Sequence, residues 1–93
     1  MRVRYSRETI SDLRRVREFI EEKNPQAAQR MAALLLKGIN QLKSFPGLGT
    51  EVHLAMDPEV IRDLVVGKYI VRYLIGSEEI YVLRVWQHRE NRL

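Results

Sequence analysis

The chain has 93 residues, no cysteine and two widely separated histidines, His53 and His88, which excludes a disulfide framework or a thiolate metal site, and no metal or other cofactor is expected. Apolar residues make up 45% and charged residues 30%, a balance that suits a single folded domain over residues 1–93 and excludes a disordered polymer. The net charge of +4 is carried by residues 1–50, with ten Lys/Arg against five Asp/Glu, so an acidic partner is favoured, either a nucleic acid or an acidic protein segment.

Arg2 to Tyr5 alternates polar and apolar residues, which predicts a short strand with Val3 and Tyr5 on one face. Ser6 then caps a helix over about residues 7–22, in which Ile10, Leu13, Val16, Phe19 and Ile20 recur at helical spacing and form an apolar stripe. Its charges, Arg14, Arg15 and Arg17 among Asp12, Glu18, Glu21 and Glu22, are also those of a solvated face laced with ion pairs. Asn24-Pro25 restarts the chain, because asparagine suits the cap and proline the first helical turn. In the second helix Ala28, Met31, Leu34, Leu35, Leu36, Ile39 and Leu42 span more than one stripe, which predicts contact with helix one on one side and a sheet on another.

Phe45-Pro46-Gly47 ends that helix, and residues 46–60 read as a long connection or an irregular edge strand. Three strand-like runs follow, Ile61 to Val66, Lys68 to Ile75 and Ile80 to Trp86, joined by tight turns into an antiparallel meander. Tyr69, Val71, Tyr73 and Ile75 share one face, which suits a core. Alternation places Trp86 on a face with Arg84, Val82 and Ile80. The order gives an α+β domain, an N-terminal strand and an antiparallel helical hairpin packed on one face of a small antiparallel sheet. No apolar run is long enough for a signal peptide or a membrane span, so a cytoplasmic protein without a membrane partner is expected.

This order of elements, together with Arg62-Asp63-Leu64, Gly67-Lys68-Tyr69-Ile70-Val71-Arg72-Tyr73 and Leu83-Arg84-Val85-Trp86, resembles the RelE/ParE toxin superfamily over nearly the whole chain. The resemblance implies the toxin of a type II toxin–antitoxin pair, neutralised by a cognate antitoxin whose C-terminal segment wraps it as a helix or an added strand. ParE-like members act on DNA gyrase and RelE-like members cut messenger RNA in the ribosome. A nuclease needs a cation on phosphate and a group that moves a proton at neutral pH. Arg62 and Arg84 match the family's strand arginines and suit the first task, unless they pair with carboxylates such as Asp63 or Glu59. For the second, glutamine stands at Gln87 where many RNA-cleaving relatives carry histidine or tyrosine, and His88 is displaced by one residue, which turns it to the other side of an extended chain.

The reading that follows is a ParE-like gyrase inhibitor that performs no chemistry and so has no catalytic residue. Arg84, Trp86, His88, Arg89 and Arg92 contact the target, and Leu34, Leu35, Leu36 and Ile39 contact the antitoxin. The alternative is a ribosome-dependent endoribonuclease using Arg62, Arg84 and His88 on messenger RNA, and a third reading is an inactive interaction module that keeps the fold.

Overall fold

The computed structural model describes residues 1–52 and 60–88. Strand β1 (Arg2–Tyr5) leads through the N-cap Ser6 into helix α1 (Arg7–Lys23), and Asn24 caps helix α2 (Pro25–Gln41) by accepting from the Gln26 and Ala27 N–H groups. A 3-10 turn at Pro46–Leu48 and the two-residue strand β2 (Thr50–Glu51) follow, where the sequence suggests a connection or an irregular edge strand. Strands β3 (Ile61–Val66), β4 (Tyr69–Ile75) and β5 (Glu79–Gln87) complete the sheet, in the order β1-β5-β4-β3-β2. Gly67, at φ 58°, takes the first place in the two-residue turn between β3 and β4, where a positive φ favours glycine.

The α+β arrangement is the expected one, and β2 to β5 are antiparallel. β1 adds a feature that the hairpin signals do not carry: it runs parallel to β5, with Arg2 opposite Glu79 and Tyr5 opposite Val82. The two helices form the crossover that a parallel pairing needs.

Both helices pack on the sheet face that carries Leu64, Val71, Tyr73, Ile80, Val82 and Val85, all buried. The buried positions of α2, Ala28, Met31, Leu35 and Ile39, continued by its C-cap Leu42, step by three and four and make one stripe rather than several. On α1 the buried residues are Thr9, Asp12 and Val16, which shifts the inward face away from the predicted apolar stripe. Ile10 and Phe19 are each 52% exposed as a result, although Leu13 and Ile20 still pack against the core.

A bulge in β5 changes the predicted faces. Arg72 pairs with Arg84 but Tyr73 pairs with Val82, which leaves Leu83 as an extra residue. Ile80 and Val82 therefore point to the helices while Arg84 and Trp86 do not, and Val85 takes up the buried alternation. The sequence reading that grouped Trp86 with Val82 and Ile80 fails because it assumes an unbroken period of two.

Candidate functional site

β1 covers β5 only as far as Val82, and beyond that point the edge of β5 is satisfied by α1. The Ser6 N–H and the Thr9 hydroxyl both donate to the Val82 carbonyl, at 3.0 and 2.9 Å, and the Ser6 hydroxyl donates to the Leu83 carbonyl at 2.9 Å. One helical turn further on, the Asp12 carboxylate accepts the Val85 N–H at 3.0 Å. Ser6, Thr9 and Asp12 stand three residues apart, so one face of α1 replaces the missing strand where the bulge lies.

Asp12 also accepts both prongs of Arg84, at 2.8 and 3.0 Å, and one from Arg15 at 2.9 Å. Its burial alone would raise the carboxyl pKa. The hydrogen bonds from Arg84, the Val85 N–H and Arg15, with the Arg84 charge, outweigh that cost and hold it below the usual carboxylate range. Arg84 is in turn pushed up by its hydrogen bond to Asp12, and its side chain stays 38% exposed. The carboxylate that holds Arg84 is thus Asp12, not Asp63.

Asp63 pairs with Arg72 instead, through two hydrogen bonds of 2.8 and 3.0 Å. The Arg72 guanidinium lies 5.1 Å from the centre of the Trp86 ring, within cation–π range. Across β3, β4 and β5 the face away from the helices thus presents Asp63, Arg72 and Arg84 in one row and Val65, Ile70 and Trp86 in the next. His88 is exposed at the end of β5, with its backbone N–H donating to the Lys68 carbonyl at 2.7 Å.

Arg62 lies elsewhere. It is in register with Tyr73 on the helix side, donates to the Gly49 carbonyl at 2.9 Å and stands 3.8 Å from Glu51. Tyr73 is fully buried, donates its hydroxyl hydrogen to the Pro46 carbonyl at 2.6 Å and accepts the Gly49 N–H at 2.8 Å, so it ties the turn after α2 to the sheet. Arg62 and Arg84 are two strands apart, which at ordinary sheet spacing is about 9–10 Å of backbone separation.

Of the four residues considered for antitoxin contact, Leu35 and Ile39 are each 2% exposed and belong to the core, whereas Leu34 and Leu36 are 57% and 59% exposed. A single buried stripe accounts for the split. An open groove between α1 and α2 includes Ile10, Leu13, Met31 and Leu36, with Arg14 and Arg17 on its lining. Arg89, Arg92, His53 and Glu59 lie outside the described residues.

The sequence reading did not single out Asp12 or Arg72. The three-residue spacing of Ser6, Thr9 and Asp12 is the signal for the first. For the second, Asp63 and Arg72 stand equally far from the Gly67-Lys68 turn, which makes them cross-strand neighbours.

A protein with two helices on one face of this sheet and an arginine held on its closing strand has the architecture of a small toxin of toxin–antitoxin systems. Residues 3–92 match the family model described as the ParE toxin of type II toxin–antitoxin systems, parDE, and the chain belongs to that family. It is 30% identical over 77 residues to Toxin RelE2 of Caulobacter vibrioides, covering 82% of each chain. Its fold matches a chain from the chromosomal ParDE TA system of P. aeruginosa with a TM-score of 0.73, at 17% identity, over 94% of this chain and 95% of that one. The chain is a toxin of the ParE/RelE type and has a cognate antitoxin as its partner. No helix among the described residues is long and apolar enough to cross a membrane, and none of their acidic and histidine side chains cluster into a metal-binding group.

Proposed function

We propose that this toxin is a ParE-like inhibitor of DNA gyrase, acting by binding in the cytoplasm and held inactive by an antitoxin that docks on the exposed side of the helical hairpin. The observation that carries this reading is the separation of the nuclease candidates. Arg62 is engaged with Gly49 and Glu51 on the helix side of β3, while Arg84 is clamped by Asp12 at the edge of β5. To grip one phosphate together, the two would have to leave these partners and reach it from opposite faces of the sheet. His88 extends from the end of the sheet beside Lys68, and proton transfer by a well-placed group typically supplies about 10²–10⁴ in rate.

A binding mechanism asks only for a surface. Trp86 stacked on Arg72, with Arg84, His88, Arg89 and Arg92 from the same end of the chain, supplies a cationic and aromatic one, of the composition that anchors interfaces. The test places the purified toxin in a gyrase supercoiling assay and in a ribosome-dependent messenger-cleavage assay. Supercoiling is expected to stop while the messenger stays intact, and His88→Ala is expected to change neither result. Messenger cleavage that disappears in His88→Ala, with gyrase unaffected, would replace this reading by the endoribonuclease.

A further inference from the structure

Arg72 and Arg84 stand directly opposite each other on β4 and β5, on the face away from the helices. Like charges in that position, with Cβ atoms about 4.5–5.5 Å apart, repel one another unless anions steady them. Asp63, on β3, holds Arg72 from one side, and Asp12, on α1 beyond the outer edge of β5, holds Arg84 from the other. The two carboxylates thus bracket the pair from outside. Both arginines use the same edge for this, Nε and Nη2, and among the described residues Nη1 of each has no hydrogen-bond acceptor. The side chains remain 36% and 38% exposed. Beside them lies the apolar row of Val65, Ile70 and Trp86, with the Trp86 ring against Arg72.

We infer that Arg72 and Arg84 together form a socket for one carboxylate side chain of the protein target, gripped by the Nη1 groups of both, with Asp63 and Asp12 as positioning residues. The inference rests on the target-binding reading of the proposed function and adds the chemistry of the ligand, with Arg72 as a residue that contacts it. A third carboxylate supplies what two facing cations lack, an anion between them. The clamps fix both guanidinium forks beforehand, so less side-chain entropy is lost on binding. Charge decides against a nucleic acid. Asp63, Arg72, Arg84 and Asp12 sum to zero, and Arg15 on Asp12 is matched by Glu8 near Arg84. The row therefore lacks the run of uncompensated cations on which binding to a phosphate backbone depends. A single acidic side chain on an apolar protein surface suits it instead, with one anion for the pair and apolar neighbours for Trp86 and for Val65, which is 64% exposed.

The test measures binding of whole gyrase by the full-length toxin and by Arg72→Gln, Asp63→Asn and the exchange Asp63→Arg/Arg72→Asp. An ion pair this exposed adds little to stability, and unchanged thermal melting confirms the fold of each variant. Arg72→Gln is expected to weaken gyrase binding by about tenfold or more, and Asp63→Asn by less. The exchange keeps the ion pair and the net charge but moves the cation to β3. It should melt like wild type and bind as poorly as Arg72→Gln, whereas a pair with a purely structural role would be restored by it. In Asp63→Asn/Arg72→Lys, a carbodiimide, which joins amines to carboxylates in contact, is expected to link position 72 to an acidic residue of gyrase, and excess wild-type toxin should suppress that link. Full affinity in Arg72→Gln or in the exchange, or no link from position 72, would overturn the socket while leaving gyrase as the target. A wild-type toxin that does not bind gyrase would overturn both the proposed function and the socket. Wild-type binding to a single-stranded RNA oligonucleotide, steeply salt-dependent and lost in Arg72→Gln, would assign the arginines to phosphate and also overturn the inference.

Discussion

Asp12 is a buried carboxylate whose partners differ in what they require. The Val85 N–H needs an acceptor because it sits at a covered strand edge, whereas Arg84, partly exposed, recovers hydration if its partner goes. Asp12→Ala is therefore expected to cost about 1–3 kcal/mol, the penalty of an unsatisfied buried donor rather than the larger one of a stranded buried charge. Asp12→Asn, which keeps an acceptor, should cost less, and urea unfolding midpoints measure both. Because the folded carboxyl lies below its ordinary value of 3.8, the stability it contributes is complete above that pH and is lost as pH falls through the lower folded value. Acidification from pH 7 to 3 should therefore narrow the gap between wild type and Asp12→Asn. Single residues were unevenly legible in the sequence. The place of Tyr73 in the core followed from its period with Val71 and Ile75, and the caps Ser6 and Asn24 followed from their chemistry. The hold on Arg84 did not, because its partner is 72 positions away and on a helix whose apolar pattern suggested a different inward face.

At the scale of elements, α2 comes close to the sheet at Gly38. A Cβ placed there would meet the Val66 side chain at 2.8 and 3.4 Å, with Leu64 at an ordinary 3.7 Å. Alanine would gain about 0.8–1 kcal/mol of helix propensity, but the stiff, β-branched Val66 must give way, and overpacking costs about 1–3 kcal/mol. Gly38→Ala is expected to be destabilising on balance in wild type and stabilising in a Val66→Ala background, a change of sign that a double-mutant cycle reads directly. Helix α1, the start of α2 and the β3–β4 hairpin were readable in the sequence to within a residue or two, since caps, proline and glycine mark their ends, but α2 stops at Gln41, before the Phe45-Pro46-Gly47 signal. The bulge at Leu83 was not, because a single inserted residue leaves no compositional mark. Its one trace is the spacing of three between the apolar Val82 and Val85, where an unbroken strand would keep two.

For the molecule as a whole, the strand order places β5 between β1 and β4, so the last strand among the described residues is an interior strand of the sheet. Hairpin signals find strands that are neighbours in the chain, and nothing local tells Arg2–Tyr5 which distant strand it joins, which is why the parallel pairing was not legible. A chain ending at residue 78 lacks the partner of β1, the acceptor carbonyls for Ser6 and Thr9, and the Val85 and Arg84 groups that satisfy Asp12. Such a truncation is expected to show no cooperative thermal transition by circular dichroism, and a native-like one would mean that β5 is dispensable to the fold. The pairing of β1 with β5 also sets a timetable. A polypeptide is made from its N-terminus, so until β5 is made this toxin has at most a helical hairpin and an incomplete sheet. Its long-range closure, slow in any case because distant segments must meet, waits for β5. The surface proposed above to bind the target, around Trp86 and Arg84, belongs to that same strand, so on that proposal the capacity to harm and the completed fold arrive together, once β5 has been made.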